Sequence, residues 1–290
     1  MKNIPIKWLF LLVLSIIWGS SFILIKKGLL GLTAIQLGAL RNVFTGIILL
    51  IIGASTLKTI EKKSWKWLLI SGLLGSFFPS FLFAIAETEI DSAVASILNS
   101  LVPLNTILLG FAVFKIGSTR RQLLGVIVGF IGTAILILTG ADLNPEQNYW
   151  YASFVLLSTL MYACNINIIK RYLQNEKPLA IAAGNYVFIT IPALIILIFT
   201  EFFDLSNFEE KVFNQSIIYV FILSLFGTAI AKIIFNKLVQ ISSPVFASSV
   251  TYLMTIVALL WGLLDGESFG VVQLLAAIMV LIGVYLGNRK

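Results

Sequence analysis

Residues 18–26 read WGSSFILIK, and residues 162–170, which lie 144 positions later, read YACNINIIK. Residues 90–110 match residues 242–262 in the same way, at a spacing of 152. Each half of the chain holds five apolar runs. Since five is an odd number, the second copy has to enter a membrane from the side opposite to the first. The pattern predicts an inverted-topology repeat, the architecture in which many secondary transporters alternate access to a central site.

The composition is that of a membrane protein. Hydrophobic residues make up 59% of the chain and charged residues 11%, against about 45–50% and about 25% in soluble domains. Ten runs are long enough to cross about 30 Å of hydrocarbon, which takes about 20 residues. We therefore predict an all-α integral membrane protein with ten transmembrane helices as an inverted 5+5 repeat, with domains at residues 1–140 and 141–290. The predicted spans are 8–26, 33–54, 66–87, 91–115, 119–140, 149–173, 178–203, 216–238, 242–265 and 269–288.

The distribution of basic residues predicts an orientation. The net charge is +7, and 16 of the 20 Lys and Arg residues lie at the span ends of one side. Lys26, Lys27 and Lys211 lie on the other side, and Arg41 lies within a span. Such an excess marks the cytoplasmic side of membrane proteins, so we predict that both termini are cytoplasmic. No segment off the membrane is long enough to form a nucleic-acid-binding patch.

Residue types exclude several classes of function. The chain has one cysteine, Cys164, and no histidine, so it lacks the residues for a disulfide framework, a Cys/His metal site or His-based acid catalysis. It also lacks a phosphate-binding Gly-x-x-x-x-Gly-Lys-Ser/Thr loop. We expect no cofactor, no metal and no enzymatic activity. The N-terminal run resembles a secretory signal, but its removal would leave residues 158–170 without a repeat partner, so we expect an uncleaved first helix.

Polar and small residues form a stripe along one face of span four. The members recur at spacings of four and three, which places them on one face of a helix, and polar groups within a membrane must face protein or water. Small residues also suit close helix contacts, whereas the amide of Asn99 has four hydrogen-bonding capacities to satisfy. The stripe comprises Ser92, Ser96, Asn99, Pro103 and Thr106, and its images in span nine include Ser248, Thr251 and Thr255.

Pro103 lies in the middle of span four, where a proline removes a backbone hydrogen bond and opens the helix. Transporters place binding groups beside such discontinuities. Its image in the second half is Thr255, so we expect an asymmetric site. Thr251 and Tyr252 lie nearby on span nine.

Spans one and six supply a second matched face. Trp18 and Ser21 lie three residues apart and correspond to Tyr162 and Asn165, so each helix pairs an aromatic ring with a hydrogen-bonding group. Trp18 is too deep in its run for an interfacial anchor, but ordinary packing is an alternative to cavity lining.

Charged residues near the spans favour different interpretations. Arg41 lies about 12 Å from the outer end of span two, at 1.5 Å per residue, where it could meet an anionic substrate group or snorkel outward. We expect the flexible stem of Lys232 to carry its charge to the inner interface. We also expect the outer carboxylates to be solvated. These are Glu87, Glu89, Asp91, Asp265 and Glu267. No Asp or Glu lies deep within a span, so proton coupling lacks an obvious carrier.

Spans five and ten carry glycines instead of polar side chains. These glycines form seams suited to tight helix contacts. We assign both spans to scaffold or homodimer contacts, with no role in substrate binding. The glycines are Gly125, Gly129, Gly132, Gly283 and Gly287.

Taken in order, these residues resemble the EamA domain of the drug/metabolite transporter (DMT) superfamily, once in each half of the chain. The resemblance covers nearly the whole sequence. The chain departs from the family at Lys115, where a glutamate is usual, and at Thr255, where a proline is usual. The matching positions are residues 18–22, Lys26, Leu40, Arg41, Gly72, Gly75 and residues 93–103 and 122–132, followed by residues 243–247, Gly266, Glu267 and residues 273–283.

The resemblance implies a metabolite exporter of a bacterial inner membrane, with a central cavity between the repeats and peripheral fifth and tenth helices. Members of the family move amino acids and other small metabolites outward. We expect a midplane site for a small amphipathic solute such as an amino acid, with Arg41 as a candidate carboxylate partner and membrane lipids around the protein. The expected substrate-binding residues are Trp18, Ser21, Arg41, Asn99, Pro103, Tyr162, Asn165, Thr251 and Tyr252.

Two rival functions stay open at this point. A translocase for lipids or lipid-linked carriers would show a lateral opening and a basic inner pocket around Lys232 and Lys237. A non-transporting membrane scaffold would have its cavity packed shut by side chains.

Overall fold

The structure, a computed structural model, describes residues 6–114, 120–121, 124–125, 127–129, 131–132, 135, 148–266 and 270–288. These residues contain helices and no strand. The α-helices are α1 (Ile6–Gly28), α2 (Ala34–Leu57), α3 (Trp65–Gly72), α4 (Phe78–Ala86), α5 (Ser92–Asn99), α6 (Val102–Ala112), α7 (Ala152–Tyr172), α8 (Pro178–Ile198), α9 (Lys211–Ile222), α10 (Ala231–Ile241), α11 (Pro244–Ser248), α12 (Val250–Leu264) and α13 (Val271–Asn288). The π-helical segments Leu73–Phe77 and Leu223–Ile230 join α3 to α4 and α9 to α10.

Among the described residues, eight continuous or nearly continuous helices are long and apolar enough to cross a membrane. They confirm the all-α membrane prediction. They are Ile6–Gly28, Ala34–Leu57, Lys62–Ala86, Ser92–Ala112, Tyr149–Tyr172, Pro178–Ile198, Lys211–Ile241 and Pro244–Leu264. The described residues of the fifth predicted span are helical, and the rest of that span lies outside the described residues. The ten-helix 5+5 arrangement stays a prediction.

Two predicted boundaries around residues 199–215 are wrong. The seventh span ends at Ile198 and not at residue 203, and the eighth begins at Lys211 and not at residue 216. A short 3-10 helix, Leu205–Glu209, lies between them. The polar Lys211 and Asn214 obscured the start of α9, because hydropathy marks the apolar run and not the polar turn that precedes it.

Local sequence explains where several helices begin. Thr33 caps α2 by accepting a hydrogen bond from the backbone nitrogen of Gln36, and the Gln36 side chain accepts one from the Thr33 nitrogen in return. This reciprocal pair satisfies two N–H groups that a helix start leaves unpaired. Pro178 and Pro244 occupy the first turn of α8 and α11, where the missing N–H of proline costs nothing.

The helices pack in pairs that bring the two halves of the chain together. The largest contacts join α2 to α8 and α1 to α12. A methyl group added to Gly19 would lie 2.6 Å from the carbonyl oxygen of Met254, and one added to Gly46 would lie 2.8 Å from Cγ2 of Thr190. Both glycines therefore allow the close backbone approach that membrane helices use for packing.

The tight helix contact predicted for the glycines of spans five and ten is confirmed for Gly125, Gly129 and Gly283. A methyl group added to Gly283 would lie 2.7 Å from the carbonyl oxygen of Gly125 and 2.8 Å from Cα of Gly129. The two spans touch each other through backbone, and none of their described residues lines the cavity below.

Four spans are discontinuous. Two contain the π-helical segments, which lie about 152 residues apart like the sequence repeat. Span four breaks between α5 and α6, immediately before Pro103, so the opening predicted at this proline is confirmed. Span nine breaks at Ser249, between α11 and α12.

The expectation that the outer carboxylates are solvated is wrong for two of them. Glu87 is buried after α4, with 8% of its surface exposed. Asp265, after α12, binds Lys27 Nζ at 2.5 Å and Lys26 Nζ at 2.9 Å, both from the last turn of α1. The hydrogen bonds from Lys27 and then Lys26 hold the pKa of the Asp265 carboxyl below its usual value. Glu267 lies outside the described residues.

Candidate functional site

A cavity lies between the two halves of the chain, at the discontinuities of the spans. It encloses about 990 Å³ of space between atoms, part of which is open to solvent. Its lining residues are Trp18, Ser21, Phe22, Ile25, Arg41, Asn42, Gly75, Ser76, Ser80, Phe83, Asn99, Val102, Tyr162, Asn165, Ile166, Tyr186, Gly227, Thr228, Lys232, Phe235, Asn236, Ser248, Val250, Thr251 and Met254.

The π-helical segments shape two sides of the cavity. Gly75 and Gly227 belong to these segments, and a π turn shifts the usual pairing of backbone carbonyls. The indole Nε1 of Trp18 donates to the carbonyl oxygen of Gly227 at 2.8 Å. This bond fixes the ring of Trp18 against α10, where it packs on Phe235 with ring centroids 4.9 Å apart.

Arg41 enters the cavity from α2, where it is half-buried. Its Nε donates to the hydroxyl of Thr228 at 3.0 Å, and its backbone oxygen accepts from Ser224 at 3.2 Å. The remaining guanidinium N–H groups can donate to a ligand, because this fork suits carboxylates and phosphates.

Lys232 points into the same cavity, so the expectation that it reaches the membrane interface is wrong. It is 7% exposed, and its Nζ donates to Ser76 Oγ at 2.7 Å and lies 5.9 Å from the ring centre of Tyr186. The amide oxygen of Asn185 accepts from the same nitrogen at 3.1 Å when its amide nitrogen faces Leu68 and Ile181.

Among the described residues that line the cavity, two are basic, Arg41 and Lys232, and none is a carboxylate. Lys237, which also lies on α10, is exposed and does not line the cavity. The basic inner pocket around both lysines, which a lipid-carrier translocase would need, does not form in the described part of the chain.

Amide groups provide neutral hydrogen-bonding sites. Asn165 Oδ1 accepts from Ser71 Oγ at 2.6 Å, and Asn236 Nδ2 donates to the carbonyl oxygen of Pro178 at 3.2 Å. The Oδ1 atoms of Asn99 and Asn236 are buried and have no hydrogen-bond partner among the described residues. Such an atom is costly to bury unless something binds it. Both can accept a hydrogen bond from an ammonium or hydroxyl group of a ligand.

Aromatic rings form the apolar wall. The rings of Phe22 and Phe83 lie 5.8 Å apart edge to face, and those of Phe83 and Tyr162 lie 6.0 Å apart at an angle of 23°. Together with Trp18 these rings offer contacts to the carbon skeleton of a small amphipathic solute. No group of three or more Cys, Asp or Glu residues that could hold a metal ion occurs in the parts of the chain the structure describes.

The family model of the EamA-like transporter family matches residues 6–138 and again residues 149–289. The chain belongs to this family. Both matches fall in the regions that supply the cavity, and the second repeats the first, as expected from the duplicated sequence.

Two relatives of this EamA family member have names that describe transport. The uncharacterized inner membrane transporter YedA of Escherichia coli (strain K12) is 25% identical over 97% of this chain and 92% of its own length. A probable amino-acid metabolite efflux pump of Salmonella typhimurium (strain LT2) is 25% identical over 95% of this chain and 92% of its own. A solved structure described as "Crystal structure of protein" has a TM-score of 0.68 at 15% identity, covering 97% of this chain and 95% of that one, which shows the fold alone.

Seven of the nine sequence-predicted site residues line the cavity. Pro103 is buried in the first turn of α6 and Tyr252 packs half-buried against the core, and neither belongs to the lining. The binding role of all nine stays a prediction. The seven are Trp18, Ser21, Arg41, Asn99, Tyr162, Asn165 and Thr251.

The sequence analysis missed the polar face that runs from the π-helical segment Leu223–Ile230 into α10. Thr228, Lys232 and Asn236 follow one another at a spacing of four, and all three line the cavity. This spacing places them on one helical face. The four-residue spacing indicates in the sequence that Lys232 shares a helical face with neutral polar residues, which favours a position in the cavity over one at the membrane interface.

Proposed function

We propose that the protein is an alternating-access secondary transporter that exports small metabolites such as amino acids across a bacterial inner membrane. The observation that supports this most strongly is the cavity itself. Repeat-related residues, Trp18 with Ser21 and Tyr162 with Asn165, line it from opposite halves of the chain. Membership of the EamA family and the names of its relatives point the same way.

The proposed architecture is the inverted 5+5 repeat, with residues 1–140 and 141–290 as the two units and both termini in the cytoplasm. The π-helical segments and the breaks in spans four and nine support it, because inverted-repeat transporters build their sites from discontinuous helices near the midplane. Membrane lipids surround the protein, and a homodimer through spans five and ten is part of the proposal.

Two lysines related by the repeat bind groups on other helices. Lys26 binds Asp265 from the end of α1. Its image, Lys170, donates to the carbonyl oxygens of Val239, Gln240 and Ser242 at 3.3, 3.1 and 2.8 Å. In the proposed inverted topology the two contacts lie at opposite sides of the membrane. In the proposed cycle each contact forms when its end closes and breaks when that end opens.

In the proposed binding mode, the solute meets both polar and apolar groups of the cavity. Arg41 receives the carboxylate, since guanidinium and carboxylate form paired hydrogen bonds. The oxygen of Asn99 accepts from the ammonium group, and the ring of Tyr162 contacts the side chain. None of these steps requires a nucleophile or base, which is why we propose a transporter and no enzymatic reaction.

Uptake of labelled amino acids into proteoliposomes tests this function. We expect flux with the wild-type protein and none with empty vesicles. Asn99→Ala and Tyr162→Ala should abolish it, because they remove an acceptor and a ring from the cavity. Asn214→Ala and Tyr219→Phe, which change residues outside the lining, serve as matched controls and should transport normally.

Folding of each variant is checked by size-exclusion profile and thermal unfolding. Well-folded Asn99→Ala and Tyr162→Ala proteins with wild-type flux would remove both residues from the site. A wild-type protein that moves no member of a broad amino-acid panel would contradict the amino-acid proposal.

A further inference from the structure

We propose that the cavity selects small dicarboxylic acid anions, held between Arg41 and Lys232. The inference rests on the proposed transport function and names its substrate class. It begins with the position of the two cations. Arg41 binds the hydroxyl of Thr228, and Lys232 lies one turn beyond Thr228 on the same helical face. The two positive groups are therefore neighbours along one side of the cavity.

Neither Arg41 nor Lys232 pairs with a carboxylate among the residues that the structure describes. Their side-chain contacts are with hydroxyl, amide and aromatic groups, namely Ser76, Thr228, Asn185 and Tyr186. Among the residues the structure describes, the ion pairs involve Lys26, Lys27 and Lys63, and not these two side chains. The cavity thus holds two basic side chains without a carboxylate partner among the described residues, and a ligand with two negative groups would favour the charged form of both.

Electrostatics favours a ligand with two negative groups. An unpaired charge away from water is costly, and like charges in a site of low dielectric constant repel. A monocarboxylate or a zwitterionic amino acid would pair with one cation and leave the other without a partner. A dicarboxylate pairs with both, and Arg41 and Lys232 each keep free N–H donors for it, because Arg has five and Lys has three.

The neutral groups refine the ligand further. The buried oxygens of Asn99 and Asn236 accept hydrogen bonds and have no partner among the described residues. An ammonium or hydroxyl group between the two acidic groups would satisfy them. The rings of Phe83 and Tyr162 cover the methylene carbons. Acidic amino acids combine two carboxylates, an ammonium group and a short carbon chain.

Glutamate and glutamine provide the sharpest comparison, because they differ by one charge at nearly equal size. Ligand-dependent thermal stabilisation of the purified wild-type protein is measured with glutamate, glutamine and glutarate. We expect glutamate to bind at least about tenfold more tightly than glutamine, since a charge-assisted hydrogen bond is worth about that factor. Glutarate, which lacks the ammonium group, should still bind more tightly than glutamine.

Charge removal at the site tests the assignment of residues. Lys232→Gln should bring the glutamate and glutamine affinities to within about threefold of each other, because one cation is lost. Lys237→Gln removes an exposed lysine of the same helix and should keep the wild-type preference. Arg41→Gln gives a second test of the same claim if Lys232→Gln does not fold.

The outcomes separate this inference from the transport function. Glutamine binding as tightly as glutamate, or no stabilisation by any of the three compounds, overturns the inference. Proteoliposomes that move neutral amino acids and exclude dicarboxylates also overturn it, while the transporter stands. Selective glutamate binding without flux supports the charge pairing and refutes transport.

Discussion

Replacing Asp265 by Asn should weaken the contact between α1 and α12 by a small and pH-dependent amount. Asp265 binds two lysines at 2.5 and 2.9 Å, and the three side chains are 18–36% exposed. Ion pairs near the surface contribute about 0.2–1 kcal/mol each. Because solvent screens this pair of contacts, we expect their loss to cost about 0.5–1 kcal/mol, or about 1–3 °C in unfolding temperature.

The sign of the pH dependence follows from the lowered pKa of Asp265. A carboxyl whose folded pKa is depressed stabilises the protein fully above its unfolded value of about 3.9, and that contribution is lost as the pH falls through the folded value. Wild-type protein should therefore be more stable than Asp265→Asn at pH 7 and pH 5, and the difference should narrow at pH 3. High salt should narrow it as well.

Thermal unfolding in detergent, followed by tryptophan fluorescence, measures these differences. Glu209→Gln is the control, because it removes an exposed carboxylate of the 205–209 helix and should leave the unfolding temperature unchanged at each pH. Equal stability of Asp265→Asn and wild type at pH 7 would refute the ion-pair account. So would a difference of the same size at pH 7, at pH 3 and in high salt.

Two further predictions concern glycines at helix contacts. Gly283→Ala places a methyl group 2.7 Å from the carbonyl oxygen of Gly125. We expect the free energy of unfolding to fall by about 1–3 kcal/mol, which is measured as a lower unfolding temperature. Ile282→Ala, at an exposed position of the same helix, should lower the unfolding temperature less. Gly75→Ala places a methyl group 2.6 Å from Cγ of Asn165 and should displace that amide from the cavity. We therefore expect the flux in proteoliposomes to fall while the protein still purifies as a folded species. Unchanged flux would show that transport does not depend on the position of Asn165.

The internal repeat allowed part of the candidate site to be predicted from the sequence. Trp18 and Ser21 were paired with Tyr162 and Asn165 by position alone, and the structure brings all four to one cavity. An internal duplication allows this prediction, because residues that align between the two repeats occupy equivalent positions in the two units. Arg41 was readable for a different reason, since a charge within an apolar run has to face protein or water.

Other features depend on packing that a single sequence does not show. Lys232 has a stem long enough to reach the interface, but its contact with Ser76 requires α10 to meet the π-helical segment Leu73–Phe77. Pro103 opens span four as predicted, yet it lies in the first turn of α6 and does not line the cavity. Glu87 looked like a loop carboxylate, yet it is buried.

Counterflow measures whether one cavity is exposed alternately to the two sides of the membrane. Proteoliposomes are loaded with an unlabelled amino acid and diluted into a trace of the labelled compound. We expect a transient accumulation of label above its equilibrium level with wild-type protein, and none with empty vesicles or with Asn99→Ala. Protein-dependent flux that only approaches equilibrium, with no transient accumulation for any transported solute, would contradict alternating access.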